Sequence, residues 1–108
     1  MDGKIILLVE DNANDVLLTE RALKKSHILN QLVVATDGDE ALDYIFGTGK
    51  GAERDMNMMP EVILLDINLP KIDGLEVLKR IRADNRTKLL PLVILTSSKE
   101  QKDLISYS

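Results

Sequence analysis

Short runs of large aliphatic residues alternate along this chain with segments in which aliphatic residues recur every three or four positions. The runs at residues 4–9, 31–35, 61–66 and 91–96 consist mainly of isoleucine, leucine and valine. Runs of this length, bounded by charged or turn-forming residues, are typical of strands that are buried on both faces. The pattern therefore predicts four strands.

Helical periodicity occupies two of the intervening segments near the N-terminus. Residues 14–26 place Leu18 one turn before Ala22, and residues 37–47 pair apolar residues one turn apart. Gly47 follows the second segment directly, and glycine is the residue that most often ends a helix. The sequence therefore predicts a helix in each segment.

The same periodicity returns on both sides of the last aliphatic run. In residues 74–84 we expect Leu75, Leu78 and Ile81 to form one apolar stripe of a helix, and residues 99–108 begin a fourth helix. Strands that alternate with helices predict a parallel sheet covered by helices. Right-handed crossovers leave few topologies, and among them we expect a flavodoxin-like, doubly wound α/β fold with strand order 2-1-3-4.

Composition limits the class of protein. The chain has 108 residues, which predicts a single domain over residues 1–108, and its 44% hydrophobic and 30% charged residues are typical of globular proteins. The net charge is −4 and the 14 basic residues are scattered, so we expect neither nucleic acid nor a membrane as a partner. The absence of cysteine is compatible with the reducing cytoplasm, where we expect the protein to act.

Acidic residues stand where two of the predicted strands end. Asp66 closes the third run in the stretch "VILLDINLP", and Glu10 and Asp11 follow the first run. The carboxyl ends of parallel strands meet at one edge of the sheet, where α/β proteins bind their ligands. Because strands 1 and 3 are neighbours in the predicted order, we expect these three carboxylates to converge.

Three adjacent carboxylates repel one another unless protons or a cation intervene. Oxygen ligands without histidine or cysteine favour Mg²⁺, with Ca²⁺ and Mn²⁺ as alternatives. A carboxylate held in this way could attack a phosphoryl donor, and Thr96 at the end of the fourth run could donate a hydrogen bond to a phosphoryl oxygen. His27, the one histidine, falls at the far end of the first helix. The acids of "EDNAND" disfavour a flavin phosphate at this edge.

Three motifs resemble the receiver domain of two-component response regulators. They are "EDN" at residues 10–12, "LLDINLPKIDG" at residues 64–74 and "ILTSS" at residues 94–98. The long segment "DYIFGTGKGAERDMNMM", residues 43–59, is similar to that of stand-alone receivers that accept phosphate from phytochrome-type and related sensor histidine kinases. Its part from residue 47 onward is predicted to be a loop.

This resemblance implies a role for each matched residue. Asp66 would be the phosphoacceptor, Thr96 the switch hydroxyl, and the ligands of Mg²⁺ would be Glu10, Asp11, Asp66 and the main-chain carbonyl of Asn68. The protein would be a signalling switch in a phosphorelay, with a sensor histidine kinase as its partner, rather than a classical enzyme. Pro70, Asp73 and Gly74 would shape the turn into the third helix.

The resemblance also implies that the chain is incomplete at its C-terminal end. Receivers have five strands and five helices, and the sequence stops at Ser108 without the family's lysine at the end of strand five. Two alternatives follow: a competent phosphoacceptor, or a phosphorylation-incompetent module that only oligomerises. An uncovered fourth strand predicts a homo-oligomer formed through that edge or by exchange of elements.

Overall fold

Four parallel strands form one sheet in the computed structural model, which describes residues 4–28, 30–52, 58–67, 69 and 73–95. The sheet order is β2-β1-β3-β4, which confirms the predicted flavodoxin-like order. The strands are β1 (Ile5–Val9), β2 (Gln31–Ala35), β3 (Val62–Asp66) and β4 (Leu92–Leu95). The fourth helix predicted over residues 99–108 lies outside the described residues.

In the described part of the chain three helices connect the strands, and each begins after a side chain that caps it. They are α1 (Ala13–Lys25), α2 (Gly38–Phe46) and α3 (Gly74–Ala83), with Asn12, Asp37 and Asp73 as their respective N-caps. Side-chain oxygens at these positions accept hydrogen bonds from main-chain N–H groups that have no partner within the helix.

The end of α2 follows the prediction from its sequence. Gly47 adopts the left-handed conformation, with a φ of 69°, and terminates the helix. The segment predicted as a loop from residue 47 to residue 59 contains a short 3₁₀ turn, Gly49–Gly51, and its residues 53–57 lie outside the described part.

One face of the sheet and the inner faces of α2 and α3 form the hydrophobic core. Burial of this apolar surface is the main force that holds the two helices on the sheet. The fully or nearly fully buried members of the core are Leu7, Val9, Ala35, Ala41, Leu42, Ile45, Ile63, Leu65, Val77 and Ile81.

The apolar stripe of α3 differs from the prediction. Val77 and Ile81 are buried and Leu78 is half-buried, but Leu75 is 58% exposed. At 100° per residue the buried face is centred between Val77 and Leu78, so Leu75 falls near its margin. The expectation that Leu75 lies in the stripe is therefore wrong.

The opposite face of the sheet is covered less completely. Ile6 and Leu8 of β1 are buried on this side, yet none of the residues of α1 is buried. Leu17 and Leu18 of α1 are instead exposed to solvent. No helix in the described part of the chain has the length and apolar character that crossing a membrane requires.

Candidate metal centre

Three carboxylates meet at the C-terminal edge of the sheet. Val9 pairs with Leu65 in the β1–β3 register, so Glu10, directly after β1, and Asp66, the last residue of β3, lie side by side. Oxygen atoms of Glu10, Asp11 and Asp66 all lie within 4.8 Å of one another. The structure thus brings together the three acids that the sequence predicted to converge.

Two of these acids are buried and the third faces solvent. Asp66 is 1% exposed and Glu10 is 3% exposed, whereas Asp11 is exposed. The pKa of Glu10 is raised from 4.5 to about 7, chiefly by burial. The hydrogen bond and charge of Asp66 and the charge of Asp15 contribute to this rise, and the hydrogen bond from the Asn12 N–H group opposes it. The site therefore favours either a proton or a cation at Glu10.

The turn after β1 holds Glu10 through main-chain hydrogen bonds. The N–H group of Glu10 donates to the carbonyl oxygen of Ala35 at 2.9 Å, which ties the residue to the end of β2. The N–H group of Asn12 donates to Oε2 of Glu10 at 3.2 Å. Both the backbone and the carboxylate of Glu10 are thus anchored.

Asn12 is the residue that sequence reasoning missed. Its side chain is the N-cap of α1, one residue beyond the predicted metal ligands Glu10 and Asp11. The available signal was an asparagine two residues before the predicted helical segment, since asparagine is a preferred N-cap.

The end of β3 is held against the start of α3. The N–H group of Gly74 donates to the carbonyl oxygen of Ile67 at 3.2 Å. A Cβ atom on Gly74 would lie 2.6 Å from the carbonyl oxygen of Asp66 and 2.6 Å from Cα of Ile67. This position therefore requires glycine so that the backbone next to Asp66 can pack this closely.

The donor set suits a hard divalent cation. The three oxygen donors carry negative charge, two of them are removed from water, and Mg²⁺ and Mn²⁺ bind such carboxylates while retaining water at other positions. Such an ion would stabilise the ionised form of Glu10, which burial and, to a smaller extent, the neighbouring carboxylates disfavour.

The other predicted site residues are not all in the described part of the chain. Asn68, Pro70 and Thr96 lie outside it, so their assigned roles stay predictions. Asp73 caps α3 through its side chain, which accepts a hydrogen bond from the N–H group of Leu75 at 2.8 Å. His27 is exposed beyond the end of α1, as expected.

Comparison with known proteins identifies one family for this chain. A family model described as the response regulator receiver domain matches residues 6–107. The chain is 41% identical over 103 residues to the response regulator Rcp1 of Synechocystis. The aligned region covers 95% of this chain and 68% of Rcp1. The relatives matched are therefore longer than this chain.

Solved structures of response regulators share the fold. The bacteriophytochrome response regulator AtBRR is 48% identical, with a TM-score of 0.83 over 96% of this chain and 74% of its own. The Mn²⁺-bound form of Rcp1 is 40% identical, with a TM-score of 0.79 over 95% of this chain and 72% of its own. The phosphorylated cyanobacterial phytochrome response regulator RcpA is 42% identical, with a TM-score of 0.78 over 96% and 73%.

Proposed function

The chain belongs to the response regulator receiver domain family, and from that premise we propose that Asp66 accepts a phosphoryl group from a sensor histidine kinase with Mg²⁺ bound at the acidic cluster. Members of this family are signalling proteins of two-component systems rather than classical enzymes. The observation that carries the proposal is the buried carboxylate of Asp66, which lies within 4.8 Å of carboxylate oxygens from Glu10 and Asp11.

The residues of the site would divide the reaction between them. An oxygen of Asp66 attacks phosphorus and forms a new O–P bond, while the P–N bond of the phosphohistidine donor breaks and the imidazole leaves. Mg²⁺ held by Glu10, Asp11, Asp66 and the Asn68 carbonyl would neutralise charge on the phosphoryl oxygens. Thr96 would then bond a phosphoryl oxygen and couple the modification to nearby segments.

Similar proteins support two parts of this proposal, the divalent cation and the phosphorylation. The Mn²⁺-bound form of Rcp1 supports a divalent cation at the cluster. The phosphorylated form of RcpA, described as a phytochrome response regulator, supports phosphorylation and favours a phytochrome-type kinase as the donor. We also propose that the protein acts in the cytoplasm, with which its cysteine-free composition is compatible.

Phosphorylation by a small donor tests this function directly. Incubation with acetyl phosphate and Mg²⁺ is expected to add one phosphoryl mass to the intact chain. EDTA is expected to prevent the addition, because no cation then neutralises the charge on the phosphoryl oxygens. Asp66→Asn should abolish the added mass, which is followed by mass spectrometry of the intact protein.

Asp39→Asn is the matched control, since it makes the same chemical change at an exposed carboxylate in the first turn of α2. It should leave the phosphoryl addition intact. Addition that survives Asp66→Asn would contradict the assignment of Asp66. A wild-type chain that gains no mass would instead favour the second alternative, a phosphorylation-incompetent interaction module.

We also propose that the protein associates with itself through β4. Within the described residues β4 is bonded to β3 on one side only, and Val93 and Ile94, on its two faces, are 48% and 41% exposed. An apolar strand at the edge of a sheet offers main-chain hydrogen bonds and apolar surface to a second chain. Pairing of these edges, or exchange of an element between chains, would bury both.

Light scattering across a range of protein concentrations measures this association. We expect a dimer or larger species for the wild type, and a monomer for Val93→Lys, because a buried lysine charge in the interface is costly. Leu89→Lys adds the same charge at a loop residue that is 86% exposed and should not change the mass. A wild-type monomer at every concentration would rule the association out.

A further inference from the structure

Asn12 joins the acidic cluster to helix α1 by hydrogen bonds in both directions. Its main-chain N–H group donates to Oε2 of Glu10 at 3.2 Å, on the side of the cluster. Its side-chain oxygen Oδ1 accepts from the N–H groups of Asn14 at 2.8 Å and Asp15 at 3.2 Å, on the side of the helix. Asp11 is the single residue between Glu10 and Asn12, so both of its flanks are held by these bonds.

The side chains of α1 are at most half-buried, as those of Val16 and Leu23 are. None of the residues of α1 is buried, and Leu17 and Leu18 are exposed. A helix that is held only weakly by its side chains depends more on its N-terminal cap for the orientation of its first turn. The Asn12 cap therefore has an influence on the end of β1 that a cap on a well-buried helix would lack.

The backbone geometry of Asn12 explains how the cap reaches the cluster. The residue is extended, with φ of −96° and ψ of 116°, while its carbonyl oxygen accepts the first helical bond from Val16. The two side-chain bonds fix this conformation, and the same conformation directs the N–H group toward Glu10. Without the side-chain acceptor, the turn over residues 10–12 gains freedom that moves Asp11 and the Glu10 carboxylate relative to Asp66.

We propose that Asn12 is a positioning residue for the divalent cation: its cap on α1 holds the carboxylates of Glu10 and Asp11 in the arrangement that binds the ion. The inference rests on the metal site of the proposed function and adds to it a residue that supplies no ligand atom. Residues that orient metal ligands in other proteins have large effects on affinity although they do not contact the metal.

Binding of Mn²⁺ to the intact chain tests this role without any measurement of phosphorylation. Free Mn²⁺ is followed by its EPR signal, at a temperature where circular dichroism shows every variant to be folded. Asn12→Ala keeps all the ligands and the N–H bond donor, yet we expect it to weaken binding about tenfold. Asn12→Ser restores a neutral capping oxygen and should bind within about twofold of the wild type.

Ala22→Gly separates positioning from simple stabilisation of the helix. Ala22 is exposed in the interior of α1, and glycine there destabilises a helix by an amount similar to the loss of a cap. This variant should match Asn12→Ala in its loss of thermal stability but bind Mn²⁺ as the wild type does. A merely structural cap would instead give both variants the same affinity.

Three results would overturn the inference. Asn12→Ala that binds Mn²⁺ with wild-type affinity would remove the positioning role and leave the metal site in place. Ala22→Gly that weakens binding as much as Asn12→Ala would show that helix stability alone is responsible. A wild-type chain that binds no Mn²⁺ would overturn the metal site of the proposed function as well, so the two failures are distinguishable.

Discussion

Replacing Glu10 with glutamine is expected to remove most of the pH dependence of folding that the metal-free protein shows between pH 4.5 and about 7. Burial beside Asp66 raises the pKa of Glu10 across that interval in the folded state. A carboxyl with a raised pKa binds its proton more tightly in the folded than in the unfolded chain. Its contribution to stability is therefore present below pH 4.5 and is lost as the pH rises through about 7.

The size of this effect makes it measurable. Each unit of pKa shift corresponds to about 1.4 kcal/mol, so the change at Glu10 amounts to about 3 kcal/mol in the free energy of unfolding. Glutamine has the shape of the protonated side chain and does not ionise, so Glu10→Gln avoids this loss above neutral pH. A gain of that size is a substantial fraction of the stability of a small domain.

Urea unfolding in EDTA at pH 5 and pH 8 gives the measurement. The loss of stability between the two values should be about 2–3 kcal/mol larger for the wild type than for Glu10→Gln, because a small part of the contribution is already lost at pH 5. Glu20→Gln makes the same change outside the cluster and should follow the wild type. Equal losses for wild type and Glu10→Gln would show that the buried carboxyl does not control the dependence.

A bound cation is expected to oppose the loss of wild-type stability as the pH rises. Mg²⁺ binds the ionised form of Glu10, so protons compete with it, and its stabilising effect should be larger at pH 8 than at pH 5. The same addition should stabilise Glu10→Gln less, because one charged ligand is lost.

The convergence of the acids could be predicted because it depends on topology alone. Aliphatic runs separated by helical segments define a parallel sheet, and right-handed crossovers leave few strand orders. The flavodoxin-like order chosen among them places β1 beside β3. Once these strands are neighbours, Glu10 and Asp66 must meet at one edge, whatever the detailed packing. The β1–β3 register confirms this expectation.

The capping of α1 could not be read in the same way. Three consecutive residues, Glu10, Asp11 and Asn12, all carry oxygen acceptors, and the choice between them depends on where the backbone turns into the helix. The exposure of Leu75 depends likewise on how α3 is rotated against the sheet, which a pattern of apolar residues defines only to within part of a turn. The roles of Asn68 and Thr96 stay predictions, since both lie outside the described residues.

Replacing Gly74 with alanine is expected to lower the free energy of unfolding by about 2–3 kcal/mol. The new Cβ would stand 2.6 Å from the carbonyl oxygen of Asp66 and 3.0 Å from that of Ile67. These are main-chain atoms at the end of a central strand, so the clash cannot be relieved by rotation of a side chain. The start of α3 or the end of β3 must shift.

A shift of that kind also acts on the metal site, because Asp66 is the residue displaced. We expect Gly74→Ala to weaken Mn²⁺ binding about tenfold, even though no ligand atom is removed. Chemical denaturation measures the loss of stability, and the EPR signal of free Mn²⁺ measures the loss of affinity in the folded protein.

Gly51→Ala supplies the matched control, since its Cβ would also collide with a main-chain oxygen, that of Asp43 in α2. Gly51 lies in the 3₁₀ turn after α2, among residues that contribute no group to the acidic cluster. It should lose stability to a similar degree and keep its affinity for Mn²⁺. If Gly74→Ala loses stability but binds Mn²⁺ as Gly51→Ala does, then the clash is absorbed by α3, and close packing at Gly74 serves folding without positioning Asp66.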